Sequence, residues 1–550
     1  MDDTALLLLN GKFFRSTTSP AGAKAATFAD ALLIQDGTIA HVGASSDAPV
    51  QAARSRGVPT RDLAGRTVLP GFVDGHMHLL LLGQSLAKVG LERCASLADI
   101  RDAIRAYAAA RPAQPRIFAR GWMHSMTPAG VRAADLDDLA GGRPVFVDTK
   151  DLHSTWCSSS ALAELGVADR EDPLGGTIHR DAEGRCTGLL SEAAVFTIVW
   201  PHAARVATLE ERSRAMAAAA AAYSAAGYTG LIDMAMDEDA WAALRLLVES
   251  PPDGAKLPMR IAAYWLIRPS PTEAAALAQV DRAAALAREF GAATSPDCRV
   301  VGIKVICDGI VDACTAALAE PYTDGTAAAG LIWTAAQLAP VVARATAAGL
   351  QVALHAIGDA AAATAIDVLA AHGDPRLRPR IEHLELVSER DARRLGEVGI
   401  TASVQPVHAD PAILRAWPRL LGEHRCGRAF AYSEFAAAGA PLALGSDAPT
   451  APHAPLSNLY VATTRRSARE PGGADAAVNP GFALGLCEAL VAATRGAAYS
   501  CFDDGRTGSL EAGKKADFVV ADMAWDPERL LQARVLETWF EGRKVYEAGG

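Results

Sequence analysis

Eight short apolar runs, each followed by a stretch that reads as helix, constrain this chain more than any other feature. The runs are Thr67–His78, Tyr228–Asp233, Met259–Ile267, Val300–Ile306, Gln351–His355, Arg380–Leu384, Ala402–Val407 and Leu442–Asp447. They are short and continuously apolar, as strands buried on both faces are. The segments between them, such as "AAQLAPVVARATAAG" and "ERDARRLGEVG", are rich in helix formers. Strand–helix units in series predict an α/β fold, a (β/α)8 TIM barrel.

One interval breaks the rhythm. The gap from His78 to Tyr228 is several times the roughly 30 residues that a βα unit takes. Residues 84–200 are therefore expected to form a large α/β insertion after barrel strand 1, with strands of their own in "RIFARGW" and "RPVFVDT". The loop after a first strand leaves from the C-terminal face of a barrel, so the insertion is expected to cover that face.

The two ends have a different texture. "ALLLLNGKFF" and "ADALLIQDGTIAHVG" near the start, and "ADFVVADMA" and "VLETWFEGRKVYE" near the end, are apolar runs broken by glycine turns. These ends are expected to pair into one β domain, residues 1–68 plus 505–550, leaving 69–83 plus 201–504 for the barrel.

Composition narrows the function. Acidic residues outnumber basic ones, 63 to 53, and no basic stripe occurs, which argues against a nucleic-acid partner. No apolar segment has the length of a membrane span. "MDDTALLLLNGKFF" lacks the basic start and long apolar stretch of a signal peptide. The nine cysteines are scattered without a C-x-x-C pair, as reduced thiols in a cytoplasmic protein would be. The expected partner is a small-molecule substrate, with a homodimer as the expected assembly.

The polar residues of the apolar runs carry the chemistry. In "GFVDGHMH", His76 and His78 alternate with Met77 and so face one side of a strand. Two such imidazoles grip a metal, or they are satisfied interior histidines. Other runs add Lys304 in "GIKVICDG", His355 in "LHAIGD", His383 in "RIEHLEL" and Asp447 in "GSDAP". The C-terminal ends of barrel strands converge on one mouth, where these groups would meet. A lone buried lysine is costly unless paired or neutral. A neutral amine also reacts with CO2 to a carbamate, whose oxygens bridge two cations.

These motifs, together with "DLHSTWCSSSAL" and "GSDAPTAPHAPL", resemble the amidohydrolase superfamily, in the YtcJ-like branch that includes N-substituted formamide deformylases. The resemblance spans nearly the whole chain. It implies a barrel plus a β-sandwich domain built from both termini. It implies His76, His78, Lys304, His355, His383 and Asp447 around one or two Zn2+ ions, with Lys304 as a carbamylated bridge. The implied reaction is attack of metal-activated hydroxide on the carbonyl carbon of an amide-type bond, in its sharpest form that of an N-substituted formamide, with Asp447 carrying the proton to the leaving nitrogen. The same site suits a carbamate, ester or cyclic amide or imide, and a non-catalytic small-molecule binder on a barrel scaffold is the remote alternative.

The resemblance makes His153 a substrate contact; a structural histidine is the alternative. Trp122, beside His124, is a candidate pocket residue, and His453 a candidate substrate or loop contact. Asp308 either binds substrate or caps its loop. Arg380 and Glu382 are expected to brace the site, and Asp359 to cap a helix. His408 is expected to end a strand near the mouth. Asp74 reads as a turn or bracing carboxylate.

Overall fold

The computed structural model describes residues 5–18, 24–91, 93–149, 154–173, 176–251, 254, 256–323, 325, 330–473 and 476–549. Its centre is an eight-stranded parallel sheet. In chain order the strands are β1 (Phe72–Met77), β2 (Tyr228–Met236), β3 (Arg260–Ile267), β4 (Cys298–Ile306), β5 (Gln351–Ala356), β6 (Arg380–His383), β7 (Thr401–Val404) and β8 (Leu442–Leu444), and each pairs with the next. Each of the eight predicted runs supplies one strand of this sheet. The ends of the sheet meet where His78 N–H donates to Ala448 O at 3.0 Å and Asp447 N–H to His76 O at 2.7 Å. The result is a TIM-type barrel.

Glycine makes that seam tight. A Cβ at Gly75 would lie 2.7 Å from Leu444 O, and one at Gly445 only 2.4 Å from His76 N. Helices follow several strands, with starts written in the sequence. Thr334 forms a capping box with Gln337 at Ala335–Ala347, and Ser388 accepts from Asp391 N–H at Glu389–Val398. Val73, Ile232, Tyr264, Ala353 and Ala443 pack together with Ala497, Ala498 and Cys501.

The first predicted run divides into two strands. Thr67–Pro70 pairs antiparallel with Phe518–Asp522, whereas β1 begins at Phe72. The strand Thr67–Pro70 belongs to a second eight-stranded sheet, which joins Ala5–Thr18, Lys24–Gln35 and Thr38–Gly43 from the start of the chain to Phe518–Asp522, Arg534–Phe540 and Arg543–Glu547 from its end. Arg260, at the start of β3, pairs with Asp517 and, at 2.7 Å, with Glu541, so this sheet is bonded to the barrel.

The chain divides into two compact units. One comprises residues 1–79, 220–241 and 248–550, and the other 80–219 with 242–247. The second unit has its own six-stranded sheet, which includes Ile117–Trp122 and Val145–Thr149, and its own core around Ile100, Ile104, Trp122, Val147 and Trp156. Among the described residues no helix is long and apolar enough to cross a membrane.

Candidate metal centre

The C-terminal ends of β1, β4, β5, β6 and β8 bring the predicted polar residues together. His76 and His78 leave β1 with ring centroids 5.5 Å apart. His78 Nε2 lies 3.1 Å and His76 Nε2 3.4 Å from Asp447 Oδ1. One donor atom of each of these three residues lies within 4.8 Å of the other two, a spacing that could hold a cation. The His383 ring stands 4.8 Å from that of His76 and 4.4 Å from that of His355. Lys304 points into the same group, where its charge acts on His76, His355 and His383.

Orphaned atoms test whether these residues suit a metal. His76 Nε2, His383 Nδ1, Asp447 Oδ1 and Lys304 Nζ are buried without hydrogen-bond partners. Leaving such groups unmet costs ~1–3 kcal/mol each, more when charged. A cation among them would remove that cost for the lone pairs of His76, His383 and Asp447, and for Lys304 only once its amine is neutral or carbamylated. Protonation favours the same reading. Burial, then the Lys304 charge, pushes His76 down to about 4 and His355 to about 3, so both imidazoles are neutral and keep a free lone pair. Burial, against the pull of Glu382 and Asp447, brings Lys304 down to about 8. Burial resists charge on Asp447, but the rings of His76, His78 and His383 that face it, His78 Nε2 at 3.1 Å among them, hold its carboxyl below the usual carboxylate range.

The supports are specific. His76 Nδ1–H donates to Glu382 Oε2 at 2.7 Å, which turns Nε2 outward. Arg380 Nε and Nη2 hold Glu382 at 2.6 and 3.0 Å, and Arg380 also donates to Ser403, Ser500 and Gly75 O. The expected brace of Arg380 and Glu382 therefore acts on His76, not on the adjacent His383. Asp74 accepts from Ser446 N–H at 2.8 Å and Ser446 Oγ at 2.6 Å, a brace across the seam. His383 and Asp447 have φ of 76° and 55°. Non-glycine residues hold such angles only where their surroundings impose them, typically at functional sites.

Of the weaker candidates, Asp308 and His408 border the site, Asp308 Oδ1 lying 3.4 Å from His355 Nε2 and His408 Nε2 3.7 Å from Asp447 Oδ2. Asp308 accepts from the backbone N–H of Ala317, Ile357 and Gly358 at 2.8–3.0 Å, which ties the loop after β4 to the end of β5. His453 packs against Tyr223 at 5.0 Å, whose hydroxyl meets Ser446. Trp122 is fully buried in the core of the second unit, its indole N–H donating to Thr127 Oγ1 at 3.1 Å. His153 lies outside the described residues. Asp359 accepts from Ala360 N–H at the first turn of Asp359–His372 and from Ala319 N–H. His408 does not end a strand: β7 stops at Val404, and His408 sits in the 3-10 turn Pro406–Ala409.

Two residues that sequence reading did not single out belong to this neighbourhood. Asp233, in the second half of β2, accepts from Leu79 N–H at 3.0 Å, directly after His78. Glu385, two residues past His383, pairs with His408. A second carboxylate in "RIEHLEL" was the available signal for Glu385.

Comparisons with known proteins identify the family. The profile of the amidohydrolase family matches residues 60–546. The chain belongs to the amidohydrolase family. It is 28% identical to the putative amidohydrolase YtcJ of Bacillus subtilis, over 94% of this chain and 96% of that protein. It is 25% identical to the N-substituted formamide deformylase of Arthrobacter pascens, over 95% of this chain and 96% of that one. Among solved structures it resembles an uncharacterized metal-dependent hydrolase from Pyrococcus furiosus, with a TM-score of 0.77 and 26% identity, covering 95% of this amidohydrolase and all of that chain.

Proposed function

We propose that this amidohydrolase is a zinc enzyme that hydrolyses the carbon–nitrogen bond of a small amide-type substrate, in its sharpest form an N-substituted formamide. The observation that carries this reading is the convergence at the barrel mouth of buried atoms that no well-formed hydrogen bond satisfies, His76 Nε2, His383 Nδ1 and Asp447 Oδ1, beside the buried Lys304 Nζ. The similarity to a formamide deformylase along nearly the whole chain supports the choice of bond.

His76, His78, Lys304 as its carbamate, His355, His383 and Asp447 would hold one or two zinc ions. Bound zinc supplies Lewis acidity, lowering the pKa of water to about 7 and polarising a carbonyl. The chain's own residues do the rest. Glu382 fixes the tautomer of His76 and so the direction of its lone pair. Asp74 and Ser446 hold the backbone that presents Asp447. Asp447 takes the proton of the attacking water on its carboxylate and delivers it to the leaving nitrogen.

The test is a substrate panel assayed with the zinc-loaded protein: N-substituted formamides, carbamates, esters and cyclic amides. The reading expects formate and amine from a formamide. Turnover confined to the esters or carbamates would overturn the choice of bond, and no turnover of any class would overturn the hydrolase reading.

A further inference from the structure

We propose that Glu385 and His408 form a positioning pair that fixes the plane of the Asp447 carboxylate; the proposal rests on the reading of Asp447 as metal ligand and proton carrier. The backbone of Asp447 is already held. Its N–H donates to His76 O, its carbonyl accepts from Thr450 Oγ1 at 2.6 Å, and Ser446 beside it is bonded to Asp74. What this leaves open is rotation about the Cβ–Cγ bond, a broad torsion in aspartate.

Two imidazoles flank the opposite oxygens, one in hydrogen-bond contact and one at ion-pair distance. Oδ1 faces His78 Nε2 at 3.1 Å, and Oδ2 faces His408 Nε2 at 3.7 Å. His408 is itself aimed. Its Nδ1 meets Glu385 Oε1 at 3.1 Å, and its ring lies parallel to that of His383 at 5.9 Å, with an interplanar angle of 4°. Both members sit on anchored backbone. Phe430 N–H donates to Glu385 O at 2.8 Å. Val407 N–H donates to Asn458 Oδ1 at 2.9 Å, and Asn458 Nδ2 donates to Gly445 O at 2.9 Å, two residues before Asp447. One side chain thus ties the turn of His408 to the segment of Asp447.

His383, Glu385 and His408 also offer donor atoms within 4.8 Å of one another, a spacing compatible with a cation. The pairing argues for positioning. Glu385 Oε1 and His408 Nδ1 are spent on each other, and the remaining ring nitrogen of His408 lies between Thr450 Oγ1 at 3.5 Å and Asp447 Oδ2 at 3.7 Å.

The test compares wild type with His408→Gln, Glu385→Gln and Asp447→Asn. It reads metal content, the visible spectrum of the cobalt-substituted protein, and kcat and KM on a panel substrate. His408→Gln and Glu385→Gln are expected to keep the wild-type metal content, to shift the cobalt bands in the direction that Asp447→Asn shifts them, and to lower kcat about 10–100-fold with little change in KM. Glu385→Gln preserves shape and guards against a folding defect in the other variant. A wild-type spectrum and wild-type kcat in both variants would overturn the proposal. So would loss of a metal equivalent in both, which would make the cluster a cation site, or a wild-type spectrum in Asp447→Asn, which would remove the ligand on which the pair acts. Should the wild type turn over none of the panel, the proposed function fails while the cobalt spectrum still decides the role of the pair.

Discussion

Glu382 shows how a single residue can be more informative than its neighbours in sequence. It takes two bonds from Arg380 and one from His76, all fully buried. Glu382→Gln keeps the shape and removes the charge, so zinc affinity should fall about 10–100-fold, read by chelator competition. An unchanged affinity would mean that Glu382 serves the core alone. Lys304 offers the complementary test. If its Nζ is only a buried charge, Lys304→Met should be neutral or stabilising. If it holds metal, the variant should remain folded and lose metal, read by elemental analysis. His76, His78, Lys304, His355, His383 and Asp447 were legible in the sequence because each is a polar residue in an apolar run. The bond from Glu382 to His76 was not, because it spans 306 residues of chain.

The strands were legible for the same reason, but their ends were not. Thr67 to Met77 is a nearly continuous apolar run, and only the Pro70–Gly71 step marks where the chain passes from one sheet to the other. β7 stops at Val404 because Pro406, which has no N–H to donate, opens the turn that carries His408. The seam between β1 and β8 depends on Gly75 and Gly445, whose importance appears only when the two strands are brought together. Gly445→Ala would drive a methyl group into the backbone of His76. It should cost about 1–3 kcal/mol by overpacking and weaken metal binding with it. Denaturant unfolding and metal analysis of the variant check both effects. A variant of wild-type stability with full metal content would contradict the seam as described.

At the scale of the molecule, both chain ends join one sheet, and Arg260 ties it to the barrel through Asp517 and Glu541. Arg260→Met leaves the buried Asp517 without its cation and Glu541 with only Lys515 at 3.6 Å. It should destabilise the protein by about 3–5 kcal/mol in denaturant titration while leaving metal content in the folded protein unchanged, since Arg260 lies at the N-terminal end of β3. The similar texture of the two ends made their pairing legible, whereas this ion cluster, assembled from distant positions, was not. The central claim is that the barrel mouth holds zinc and uses it for hydrolysis. The most direct measurement strips the protein with a chelator, restores zinc in steps, and follows turnover of an N-substituted formamide in the wild type and in His76→Ala. The account predicts that wild-type turnover disappears and returns in proportion to zinc bound, and that His76→Ala shows none at any loading. Full turnover by the stripped protein, or wild-type turnover by His76→Ala, would contradict it.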